Sequence, residues 1–475
     1  GRDATPLWAA IGAVGLAFSV LSGHAEITIY TLLITAYFGA FRLASIWLSG
    51  RRQARTVSGI MRSSAWLMAM VMLGLMLSAV QLIPLVEFVQ SNWRAERTNF
   101  DLVRSYAHPT RDLIQFLLPN FYGSAAHHGY FDLFTQTWQS ALVQGDGLQY
   151  IDWGMKNYVE GALYLGILPL ALSVFALISP SDGSRPPYRL LFAGLGGASL
   201  TFMFGLPTYA LIYVLPGINQ LNTPFRWIYG VTIAVAVLAA IGADAVSRHR
   251  HLARYAGWVT VGTGLTMIAG LFLSRLTYDI WSPVAEPILM GMEKAGSAFS
   301  GISMFYSFVF PQIVILACVI VSSGLVILWL RHDDSRIRPV HFAALCLLAV
   351  DLMAASWGFN SSSDPALLDY VPPAVQFLRD QPGEWRYTVV NTDGQRDILQ
   401  ANMTLRYGLE DIRGYDSIIS KQYVDYMRLT NEQSQLDFNR ISSLYTWMPL
   451  GEILNSARFK RLNVKYVVTH PETEL

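Results

Sequence analysis

The stretch MFYSFVFPQIVILACVIVSSGLVILWL at residues 304–330, followed at once by RHDDSRIR at 331–338, decides the class of this protein. Its apolar length exceeds the ~20 residues with which a helix crosses a ~30 Å hydrocarbon layer. It ends in a connection carrying Arg331, Arg336 and Arg338. Outward from it lie further apolar runs at 7–22, 27–49, 64–89, 159–179, 188–205, 227–246, 255–274 and 341–357. Their short connections alternate between arginine-rich and arginine-poor. Arg51, Arg52, Arg55 and Arg62 form one cationic group, Arg185 and Arg189 a second, and Arg248, Arg250 and Arg254 a third. Positive short loops face the cytoplasm, so 23–26, 90–158, 206–226, 275–303 and everything after 357 belong outside. The pattern predicts a mainly α, polytopic membrane bundle of about nine spans over 1–357, with a large outer loop at 90–158.

Composition narrows the function classes. Of 475 residues, 53% are hydrophobic and 14% charged, with a formal net charge of +1, so no basic field for nucleic acid exists. The lipid bilayer is the expected solvent. Cys318 and Cys346 both fall inside apolar runs, which suggests packing rather than a disulfide or a thiolate metal site. His127 and His128 are adjacent, so they do not share a helical face, and no metal site is expected there.

Two segments outside the spans are substantial. In RDLIQFLLPNFYG at 111–123, Leu113, Phe116 and Leu117 have the spacing of an amphipathic helix suited to a membrane surface. Beyond residue 357 no run reaches spanning length and charges become frequent. PPAVQFLRD at 372–380 and KQYVDYMRL at 421–429 predict helices, and WRYTVVN at 385–391 and VKYVVT at 464–469 predict strands. This is an extracytoplasmic α+β domain over 358–475, reached through a short SSSDP linker at 361–365.

Ionisable residues in or beside spans persist when they face a wet cavity or a partner. His24 and Glu26 form the turn between the first two runs, Glu87 ends the third, Glu160 opens the fourth, Arg226 opens the sixth, and Asp351 lies about two turns inside the last. If these ends converge, they enclose an acidic pocket with a fixed cation at its edge. The alternatives are structural: snorkelling or helix-end charges for Glu87, Glu160 and Arg226, helix capping for His24, and a fixed polar partner for Asp351.

The strings LSGHAEITIYTLL (21–33), QLIPLVEF (81–88), LLPNFYG (117–123), EGALYLGILPLAL (160–172), LPGINQLNTPFRW (215–227), DIRGYDSIISKQYVDYM (411–427) and LNVKYVVT (462–469) resemble, in order, the landmarks of bacterial YfhO-like membrane proteins. The resemblance implies a GT-C type glycosyltransferase fold in the bacterial cytoplasmic membrane. It also implies transfer of a sugar from a polyprenyl-phosphate donor to an extracytoplasmic glycopolymer or glycolipid. His24, Glu26, Glu160, Arg226 and Asp351 are then the substrate-binding candidates, with Arg226 on the phosphate because a guanidinium fork suits phosphate oxygens. The catalytic base is unassigned. Enzymes of this type often bind a divalent cation through carboxylates, for which Glu26 and Glu160 are the oxygen ligands on offer. The match begins part-way along the family pattern, without the acidic first outer loop, and stops short of its far end. A fragment, or a chain that works with a companion membrane subunit, is therefore expected. Two other classes stay open: a non-catalytic assembly or binding subunit of an envelope complex, and a lipid-linked sugar transporter.

Overall fold

The computed structural model describes residues 5–49, 55–93, 99–144, 148–180, 187–215, 218–221, 223–331, 339–360, 362–392, 397–434, 436, 439–471 and 473. Arg51, Arg52, Arg185, Arg336, Arg338 and Ser361, together with the side chain of Arg55, lie outside the described residues. The protein is mainly helical, with a small strand region towards its C-terminus. Ala25–Leu48, Val57–Leu77, Pro224–Arg248, Arg250–Leu276 and Ile302–Leu330 are long and apolar enough to cross a membrane. A sixth candidate is the pair Tyr188–Met203 and Pro207–Tyr213, bent by 103° at its break. Thr5–Leu21, Ala79–Gln90, Ile167–Ile178 and Pro339–Ala355 are apolar but shorter.

Two of the expected runs are interrupted. The run at 64–89 divides at Ser78 into Arg55–Leu77 and Ala79–Gln90. The run at 159–179 starts as the single turn Tyr158–Gly161 and passes through extended backbone before Ile167–Ile178. Gly166 takes φ +88° at that restart, a left-handed value at which a side chain is strained.

The bundle is held by close helix pairs. Ile302–Leu330 lies along Arg250–Leu276, Ile228–Arg248 packs on both Ile167–Ile178 and Tyr188–Met203, and Thr5–Leu21 packs on Arg55–Leu77. Small residues set these distances, as they do where helices meet without a hydrophobic drive from water. A Cβ on Gly242 would stand 2.0 Å from the Leu172 carbonyl oxygen, and one on Gly324 would stand 2.8 Å from that of Gly257. Long apolar side chains such as Leu211, Phe272, Phe342 and Trp357 instead cover the outside. Cys318 and Cys346 are also exposed, which corrects the expected packing role. Their helices are apolar all round, so sequence position gave no indication of the inward face.

The chain forms two compact units, Gly1–Leu77 with Asn99–Ser361, and Ser78–Thr98 with Ser362–Leu475. The expected boundary near 357 thus misses a segment: Ala79–Gln90 and the turn after it group with the C-terminal residues. Trp93 N donates to the Ile419 carbonyl at 3.2 Å and Lys421 N to that of Ser91 at 2.8 Å. The Trp93 ring joins a core with Val424, Met427 and Leu436.

In that second unit the helices Pro373–Arg379 and Lys421–Arg428 and the strands Arg386–Asn391 and Val464–Thr469 form where their sequences predict them. The strands pair in parallel, with Arg386–Asn391 central between Val464–Thr469 and the short strands Glu410–Asp411 and Leu444–Tyr445. Pairing in this sheet is parallel, while Gly414–Tyr415 and Arg440–Ile441 form a separate antiparallel pair. A central strand covered on both faces explains the buried run Tyr387–Asn391.

In the first unit, Thr110–Phe116 is a 3-10 helix rather than the expected amphipathic α-helix. It buries Asp112 and Gln115 and leaves Leu113 and Leu117 exposed. The strands Gly129–Asp132 and Thr137–Ser140 follow as an antiparallel hairpin.

Candidate functional site

The turn after Thr5–Leu21 is fixed by its own polar groups. Thr28 Oγ1 donates to the Ser19 carbonyl at 2.8 Å, and His24 Nδ1 accepts from Ile27 N at 3.4 Å, so His24 does cap the helix Ala25–Ser49. Glu26 in its first turn is buried, and the same helix carries Tyr30, whose hydroxyl donates to Glu26 Oε1 at 3.3 Å or to the Thr223 carbonyl at 3.2 Å. Tyr30 stacks on Trp227 at 4.6 Å. The 3-10 turn Pro224–Trp227 is thereby pinned by buried Phe225 and Trp227, and Arg226 between them keeps 30% of its side chain exposed.

Arg226 is the hub. Its Nη1 forms a short ion pair with Glu26 Oε2 and lies 3.0 Å from His24 Nε2, while its Nη2 lies 3.6 Å from Glu160 Oε1. Glu160 is held from the other side. Its backbone N donates to Asn157 Oδ1 at 2.9 Å and its Oε2 accepts from Asn157 Nδ2 at 2.7 Å, a reciprocal arrangement like a capping box. Burial, assisted by the Arg226 charge, holds the His24 imidazole below its ordinary range. The site is therefore two carboxylates bridged by one guanidinium, with a neutral-leaning imidazole on the same nitrogen. Its softest contact is the 3.6 Å approach to Glu160, whose side chain is 38% exposed.

Four of the five sequence candidates thus converge, and Asp351 does not join them. Its Oδ1 accepts from the Tyr164 hydroxyl at 2.5 Å and its Oδ2 from Ile167 N at 3.0 Å. It caps the restarted helix Ile167–Ile178, whose first N–H groups have no intrahelical acceptor. Both oxygens are in use, which gives Asp351 a structural partner rather than a place in the cluster. Glu87 is exposed on Ala79–Gln90, in the other unit.

Among the described residues, no group of three or more His, Cys, Asp or Glu stands at metal-binding distances. Glu26 and Glu160 each face Arg226, whose guanidinium is their countercharge. His127 lies edge-on to Phe308 at 5.5 Å, and burial pushes its imidazole down.

Beside this cluster the sequence reading missed a second group. His108 and Asp112 form a buried pair, Nδ1 to Oδ2 at 3.0 Å, and the half-buried Lys156 sits over the Phe225 ring at 4.9 Å. His108 precedes the 3-10 helix that carries Asp112, so no helical spacing in the sequence signalled the pair. Comparison of the chain with known protein families, with functionally characterised proteins and with solved structures finds no match.

Proposed function

We propose that this chain is a YfhO-like, GT-C type membrane protein that takes part in sugar transfer from a polyprenyl-phosphate donor to an extracytoplasmic glycan. In this reading its nine apolar segments traverse the bacterial cytoplasmic membrane, the arginine-rich connections face the cytoplasm, and the C-terminal unit lies outside. The observation that carries it is the meeting of Glu26, Glu160 and Arg226, far apart in sequence, in one partly open cluster at helix ends. Ionisable groups beside spans are costly unless they serve a pathway or a partner. Arg226 supplies a planar fork for phosphate oxygens, and Glu160 is the anion that a phosphate displaces. Glu26 and Tyr30 hold the fork in place.

The test is binding of a polyprenyl-phosphate to the purified chain in lipid nanodiscs. Arg226→Ala should abolish binding and Arg226→Lys should weaken it, because an ammonium replaces a bidentate donor. Unchanged binding by Arg226→Ala makes the cluster a structural clasp.

A second reading, a non-catalytic subunit of an envelope assembly, is favoured by one feature: Arg226 already has two carboxylates and Asp351 is fully used in capping. Specific co-purification of a membrane partner, together with no lipid-phosphate binding, would select it.

A further inference from the structure

A cavity of about 470 Å³ opens where the segment 99–116 meets the break after the helix Tyr188–Met203. Its wall includes Asp101, Arg104, His108, Lys156, Phe204 and Gly205. The break leaves helix carbonyls without intrahelical donors, and the segment supplies them. His108 N donates to the Met203 carbonyl at 3.1 Å, and Arg104 Nε to that of Gly205 at 2.8 Å. These bonds fix the guanidinium at the cavity. Below it, the buried His108–Asp112 pair stiffens the wall, with His108 wedged edge-on between Phe204 and Phe225.

Lys156 faces the same cavity under an unusual condition. Its Nζ donates to the Tyr106 carbonyl at 2.5 Å and sits over the rings of Tyr106 and Phe225, yet no carboxylate among the described residues lies within ion-pair distance of it. Burial pushes its ammonium down against the opposing pull of Glu160 and Asp112. Arg104 is scarcely better compensated. Its only carboxylate among the described residues is Asp101, at 3.9 Å and almost wholly exposed. Arg104, which is exposed, and the half-buried Lys156 line one polar cavity, and an ammonium and a guanidinium hold eight N–H donors, of which the bonds above engage two.

We infer that this cavity binds a phosphate group, presented by a lipid headgroup or free in solution, between Arg104 and Lys156. The group would add a close countercharge to Lys156, which has none within ion-pair distance among the described residues, and accept from the unused donors on both sides. The site adjoins the Glu26–Glu160–Arg226 cluster, whose Glu160 acts on Lys156, but is lined by other residues and does not require that cluster to hold a glycolipid.

The test uses the full chain in dodecyl maltoside, which carries no phosphate, titrated with inorganic phosphate by calorimetry. A parallel set containing phosphatidate is read by native mass spectrometry for retained lipid. Wild type should bind in at least one arm, and the arm identifies the source. Lys156→Gln and Arg104→Gln should each weaken that binding by about tenfold or more, the loss of one charge-assisted hydrogen bond. Lys156→Arg, which keeps the charge, should retain it and controls for misfolding. The inference is overturned if wild type binds neither source, or if both Gln variants stay within about threefold of wild type. It is equally overturned if only Arg226→Gln reduces the binding, which would assign the phosphate to the neighbouring cluster.

Discussion

Removing the Asp351 carboxyl should unfasten the start of one helix without touching the Arg226 cluster. In Asp351→Ala, Ile167 N and the Tyr164 hydroxyl both lose their acceptor, and the site is buried, so water does not readily replace it. An orphaned buried donor costs roughly 1–3 kcal/mol, which puts the pair at roughly 2–6 kcal/mol. Hydrogen bonds between membrane helices average about 0.6 kcal/mol, so the lower half of that range is the better expectation. Asp351→Asn keeps one acceptor and turns an NH₂ group towards the other donor, so it should fall about midway. Tyr164→Phe removes one partner only and should cost about 1 kcal/mol. Stability is measured by denaturant titration in detergent, and the local effect by amide hydrogen exchange. Exchange should accelerate at Ile167 and Leu168 before it does in Ile302–Leu330. If Asp351→Ala unfolds within about 0.5 kcal/mol of wild type with unchanged exchange at Ile167, the capping role assigned to Asp351 is wrong.

Gly242→Ala places a methyl group 2.0 Å from the Leu172 carbonyl oxygen and should cost at least about 1–3 kcal/mol by forcing two helices apart, whereas Gly262→Ala, which meets nothing within 4 Å, should be close to neutral in the same unfolding titration. His24 has a folded-state pKa below its ordinary 6.5, so the stability linked to its neutral form is present above about that pH and is lost as the pH falls towards the folded value. Melting curves of wild type should therefore drop more steeply below pH 6.5 than those of His24→Ala, and parallel curves would remove His24 from the cluster's energetics. In the C-terminal unit, Arg413 is buried against Asp411, with further bonds to Ser443 and the Leu399 carbonyl. Arg413→Met leaves Asp411 buried and unpaired, so a loss of about 3–5 kcal/mol is expected, and near-wild-type proteolytic resistance of that unit would contradict it.

How much of this was written in the sequence differs by level. Apolar length alone marked Ile302–Leu330 and Arg250–Leu276 as helices long and apolar enough to cross a membrane, because the ~20-residue requirement is a property of the bilayer and needs no partner. Local chemistry likewise marked Arg386–Asn391 and Val464–Thr469 as strands and Pro373–Arg379 as a helix. The sequence also singled out His24, Glu26, Glu160 and Arg226, since charges beside apolar runs stand out. Their convergence was an expectation from the cost of separate lipid-facing charges, and the contacts that bring it about were beyond the sequence: the chain places 26, 160 and 226 far apart, and the packing of Tyr30 on Trp227 and the cap at Asn157 bring their ends together. Asp351, about two turns inside an apolar run, called for a polar partner, and tertiary structure supplied it at the break before Ile167, which needed an acceptor. Parallel strand pairing, the grouping of Ser78–Thr98 with the C-terminal unit, and the cavity between Arg104 and Lys156 were likewise decided by the fold. Each depends on which surfaces meet, and periodicity along one segment carries no information about the segment it packs against.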